Sequence, residues 1–148
     1  MSDAPPARRV FSFDSRDGKL QPFAPLQGIR FDNWSLSPDG SQIAVASGSE
    51  PKITFVGVAD ATRREVTLDK PSMQGMDWAA DSKSVLVASW AAKGASEVMS
   101  VEPEGNRRVL LKRDNGGWYL WALPSPDGRY AALTVLTGEN NLWMVENF

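Results

Sequence analysis

The chain has 148 residues, 42% hydrophobic and 23% charged, a globular composition with a formal charge of −2. This length bounds it to one domain, and the charge gives no basic footprint for nucleic acid. It contains neither cysteine nor histidine, which excludes disulfides, thiolate catalysis, Cys-type zinc sites, Ser-His-Asp triads and histidine general bases from these residues.

Taken from the start, residues 1–7 read as a short disordered lead. "MSDAPPARRV" has no apolar core after its charges, so it is not a secretory signal. The chain as written is expected in the cytoplasm, with the periplasm as the alternative if it belongs to a longer parent. No apolar run approaches the ~18 residues of a membrane span. Short β-rich runs bounded by turn residues then follow one another, with few helix signals, which argues for an all-β chain. "RRVFSFD" (8–14) is a strand, "SRDG" (15–18) a turn, and "KLQPFAP" (19–25) a further strand that Pro22 restricts to an edge or a bulge.

The first full unit is a four-stranded meander: "FDNWSLS" (31–37), "SQIAVAS" (41–47), "KITFVGV" (52–58) and "RREVTLD" (63–69). "PDG" (38–40) joins its first two strands, with proline presetting φ and glycine accepting a positive φ. The second unit repeats the order with 75–80, 84–89, 96–101 and 106–112. The third gives 118–125, 129–136 and 141–147, then stops one strand short. The turn aspartates Asp39, Asp81 and Asp127 lie 42 and 46 residues apart. A period of about 40–50 residues with four strands per unit marks a propeller blade. The middle strands are apolar on both faces ("IAVA", "VLVA"), as blades stacked face to face require. The fold class is therefore a β-propeller segment of about three four-stranded antiparallel blades, with a β-sandwich as the rival. Residues 8–30 form the outer strands of a partial blade. The blades proper are 31–72, 73–115, and 116–148, the last without its final strand.

"SLSPDGSQIAV" (35–45) and "LPSPDGRYAAL" (123–133) resemble the SPDG blades of bacterial TolB-type, WD-repeat-like propellers. The ending "SPDGRYAALTVLTGENNLWMVENF" is similar to the C-termini of acidobacterial kinase and winged-helix regulators that carry such propellers. The resemblance implies a propeller of six or more blades and protein partners in general. Three blades fall short of a ring, whose closure protects strand edges. Either these residues are part of a longer chain, or two copies pair three blades plus three into a homodimeric ring, or the segment stays open.

Trp34, Trp78, Trp121 and Trp143 fall on strands and are expected to pack between blades. Trp90, Trp118 and Tyr119 fall at loop edges. Loops on a rigid scaffold carry function, so the face formed by inter-blade loops and by second-to-third-strand loops is the candidate binding face. Arg30, Asp32, Asp77, Trp90, Trp118 and Tyr119 are its candidate residues, with Phe31, Gln74, Met76 and Asn115 in the inner loops. Glu50, Lys52, Lys93, Glu139 and Asn140 form an outer ring. Asp32 and Asp77 stand at different offsets from their turn aspartates, so they do not make a glycosidase pair. "DSRDG" (14–18) lacks calcium-loop spacing. No catalytic residue, metal or cofactor is expected.

The reading is a non-enzymatic protein-interaction or sensing module, alone or as the C-terminal part of a larger bacterial regulator. Its partner is expected to be a protein, with no nucleic acid and no membrane insertion. The alternatives are part of the gating propeller of a prolyl-oligopeptidase- or tricorn-type peptidase, and a small-ligand or glycan site built on Trp90, Trp118 and Tyr119.

Overall fold

The computed structural model describes residues 9–48, 50–69, 72–90, 95–114 and 117–137. Several expectations lie outside them: the lead at 1–7, the strand over 141–147 with Trp143, and Lys93, Asn115, Glu139 and Asn140.

The described residues form twelve strands: β1 (Phe11–Asp14), β2 (Lys19–Pro22), β3 (Asn33–Leu36), β4 (Gln42–Ala46), β5 (Lys52–Gly57), β6 (Arg63–Thr67), β7 (Ser72–Trp78), β8 (Val85–Trp90), β9 (Ser96–Val101), β10 (Arg107–Arg113), β11 (Trp118–Pro124) and β12 (Ala131–Leu136). They build two four-stranded meanders, β3-β4-β5-β6 and β7-β8-β9-β10, and two hairpins, β1-β2 and β11-β12. Every pairing is antiparallel.

The two-faced apolar strands do what their pattern requires. In the β3–β6 sheet, Ala44, Ala46, Ile53 and Phe55 face the next sheet, where they meet Met73, Met76, Trp78, Val85 and Val87 in the largest core. Ile43, Val45 and Val56 point the other way and are covered by Leu26 and Phe31, with Val10, Phe23 and Ile29 beside them. A third, smaller core joins Leu86 and Val98 of the second meander to Ala122 of β11. The two meanders and β11 therefore stack face to face, while the strand residues of the β1–β2 hairpin stay largely exposed.

Two of the boundaries that differ from the sequence reading bear on the core. The strand expected over 19–25 ends at Pro22, and Ala24–Leu26 make a single 3-10 turn with proline near its start. That turn directs Leu26 into the core. β7 begins at Ser72, three residues early, because a register shift between Met73 and Gly75 hides its alternation.

The repeated turns are held by their aspartates. Asp39 Oδ1 accepts from Ser37 Oγ at 2.6 Å and from the Ser41 amide at 2.9 Å. Asp127 Oδ1 repeats this with Ser125 Oγ at 2.6 Å and the Arg129 amide at 3.1 Å. Gly40 and Gly128 follow with φ of 71° and 68°. In the worn copy Ser82 takes that place with φ 59°, and its Oγ accepts from the Asp39 amide at 3.1 Å, tying one turn to the next.

The serine hydroxyls, then the backbone amides, hold Asp39 and Asp127 below the ordinary carboxylate value of 3.8. A depressed folded pKa gives stability that is present above 3.8 and lost as pH falls through the folded value. The chain is expected to lose denaturant resistance below about pH 4. The double variant Asp39→Asn, Asp127→Asn should flatten that loss. Urea midpoints at pH 7 and pH 3 check this, and equal slopes for the two proteins would refute it.

Candidate binding site at the loop end of the blades

The aspartate turns occupy one end of the stacked sheets. The other end collects the segment before β3, the β4–β5 loop, the start of β7, the end of β8 and the start of β11. Trp90 is the last residue of β8, paired in register with Ser72 on one side and Ser96 on the other. Trp118 is the first residue of β11. Their rings approach to 5.1 Å between centroids at an interplanar angle of 31°, within the range of favourable aromatic pairs. Trp118 remains 36% exposed. Among the described residues, Trp90 Nε1 and Ser89 Oγ are buried without a hydrogen-bond partner.

Tyr119 stands next to the pair but is spent differently. Its side chain packs against the small core of Leu86, Val98 and Ala122. Its amide donates to Ser96 Oγ at 2.8 Å, and Ser96 Oγ donates to the Ser89 carbonyl at 3.3 Å. These two serines, which the sequence reading did not single out, lock the start of β11 onto the second meander. Their only sequence signal is a polar residue at each end of an apolar strand pair.

Asp32 lies at the same end, one blade earlier. Its Oδ2 accepts from Ser47 Oγ at 3.3 Å and from the Gly48 amide at 3.1 Å, pinning the β4–β5 loop. Arg30 lines a cleft of about 290 Å³ on the outer part of the β3–β6 sheet, with Glu50, Lys52 and Glu65. Lys52 Nζ sits 3.2 Å from both Glu50 and Glu65, and these carboxylates, Glu50 first, raise its pKa above 10.5. Such exposed pairs contribute little stability.

Asp77 does not join this face. It lies inside β7, one residue from its end near the aspartate turns, and accepts from Ser35 Oγ at 2.5 Å. Gln74 and Met76 are likewise in β7, and Met76 is buried between sheets. Met76 and Asp77 already fall within the strand expected over 75–80, so only Gln74 depends on where β7 begins. Trp34 and Trp121, expected between blades, are 48% and 39% exposed, whereas Trp78 is buried as expected.

Four-stranded antiparallel meanders stacked face to face, with repeated turns at one end, define a segment of a β-propeller. No family model and no curated protein matches the chain. Among solved structures it is similar to the β-propeller domain of Cps50 (Swd1) from Myceliophteria thermophila, with a TM-score of 0.61 and 16% identity over 87% of this chain and 45% of that one. It is similar to a chain of the nidogen/laminin complex, with a TM-score of 0.63 and 15% identity over 84% and 48%. TolB from Acinetobacter baumannii gives a TM-score of 0.56 and 13% identity over 93% and 40%. The chain thus spans less than half the length of these propellers. At these identities the likeness establishes the propeller fold.

Proposed function

We propose that this propeller segment is a non-enzymatic interaction module that binds a protein partner at the Trp90–Trp118 edge. The observation that carries the reading is the tryptophan pair in contact at the loop end, with Trp118 36% exposed. Aromatic anchors on a rigid rim are typical interface hot spots. Both residues sit on paired strands and their rings rest on each other, which lowers the conformational entropy lost on binding. The resemblance of residues 125–148 to the ends of bacterial regulators supports a place at the C-terminal part of such a protein.

The test is a peptide array followed by titration of any hit against the wild type and Trp118→Ala. Binding is expected to weaken at least tenfold, the cost of about 1.4 kcal/mol, with unchanged fluorescence from buried Trp78 as the folding control. Equal affinity in both proteins would sink the site. Quenching by sugars, lost in the same variant, would instead favour a glycan ligand.

A further inference from the structure

The two hairpins at the ends of the described stack are each half of a blade, and they are opposite halves. β11–β12 shares the turn of β3–β4: Pro124 pairs with Ala131 as Leu36 pairs with Ile43, each flanking an SPDG turn. It is an inner pair. β1–β2 has the hairpin end of β5–β6: the Gly18 amide donates to the Asp14 carbonyl at 2.8 Å as the Ala61 amide donates to the Gly57 carbonyl at 3.0 Å. It is an outer pair. On that alignment Val10 takes the position of Ile53, and it packs on the following sheet as Ile53 does.

The burial pattern shows what each half lacks. Trp34 and Leu36 stand five and three residues before Asp39, as Met76 and Trp78 stand before Asp81. Met76 and Trp78 are 1% and 3% exposed between two sheets, while Trp34 and Leu36 are both 48% exposed. They pair with Val45 and Ile43, so they extend the face whose outer half Val10, Leu26 and Phe31 already cover. The inner half of that face is bare. At the other end Leu123 alternates with buried Ala122 and is 53% exposed on the far face of β11.

We propose that a second copy of this chain seats its β11–β12 hairpin against Trp34 and Leu36, beside β1–β2, so that one complete blade forms from two chains. The reciprocal blade forms at the other end. The described residues of each chain then contribute two whole blades and two halves, and a two-fold axis along the channel makes both contacts identical and closes the ring. Among the described residues, β1 and β12 each have one unpaired edge, and closure covers both, which are otherwise templates for uncontrolled pairing. The bare apolar surface is continuous with an existing inter-sheet core, which sets its occupant as another blade of this kind. The proposal does not use Trp90 or Trp118, and its test reads mass and covalent linkage, so it stands or falls apart from the binding reading.

In β4–β5, Ala44 pairs with Phe55. Their counterparts are Ala132 and Ser12, which therefore become neighbours across the new seam. Directly paired residues have Cα atoms about 4.5–5.5 Å apart, within disulfide reach, and the chain has no cysteine to confuse the result. S12C and A132C are made in separate chains, mixed and oxidised. Light scattering across a dilution series is expected to give twice the 16.2 kDa of one chain. The mixture should yield a disulfide-linked pair that neither variant gives alone. Trp34→Asp, an exposed change, should weaken the dimer at least tenfold. A monomer at every concentration overturns the proposal, as when further blades of a longer chain or a strand over 141–147 fill these edges. A dimer without the S12C–A132C bond also overturns it.

Discussion

Trp78→Ala is expected to cost about 3–5 kcal/mol, the range for deleting a large buried aromatic. Small domains are stable by only about 5–15 kcal/mol, so the variant should unfold at a much lower urea concentration. Trp78 is 3% exposed at the centre of the largest core. Its ring meets Phe55 edge-on, 5.6 Å between centroids at 70°, so the two blades share one aromatic contact. Its Nε1 also donates to the Ser35 carbonyl at 3.0 Å, and truncation leaves that acceptor without this donor. Phenylalanine at the position keeps the edge contact and loses the donor. Trp78→Phe should therefore recover more than half of the loss. Equilibrium unfolding of the three proteins measures both steps. A cost below about 1 kcal/mol for alanine would be far under the buried-aromatic range and would mean the first two blades are not one cooperative unit.

Trp34 and Trp78 show how far the sequence could lead. Both lie on inner strands, just before a turn aspartate, and both read as inter-blade packing. One is half exposed and the other buried because only Trp78 has a blade on its side. Burial here is set by a neighbour in space, and no local pattern reports whether that neighbour exists. The turns were legible because their chemistry is local: Ser37, Asp39 and Gly40 act within a few residues of each other. The middle strands were legible because both faces are apolar. The start of β7 was not legible because an irregular register between Met73 and Gly75 breaks the two-residue period. Of the candidate site, the tryptophans at strand ends could be read as loop-edge residues. Their ring contact could not, since it joins the end of β8 to the start of β11 across two sheets.

Gly75 is where the second and third blades come closest, and its replacement should separate them. A Cβ added there would lie 2.5 Å from the Leu120 carbonyl oxygen and 2.8 Å from the Trp121 ring. The ring could rotate away, but the carbonyl belongs to β11 and can yield only if the strand moves. Gly75→Ala should therefore push β11 off β7 and strip cover from the small core of Leu86, Val98 and Ala122. The first and second blades meet through a different and larger core, in which Gly75 has no side chain to lose. The damage should be local. Hydrogen exchange is expected to speed up in β11 and β12 at least tenfold, while amides of β4, β5 and β8 keep their protection. Uniformly faster exchange throughout would mean instead that the blades open together, with the thin third interface as much a part of the global fold as the thick first one. The Trp90–Trp118 pair gives an internal check, because it spans the same seam. If β11 lifts as a unit, Trp118 should become more accessible to a soluble quencher in Gly75→Ala, while Trp78 stays shielded in the core between the first two blades.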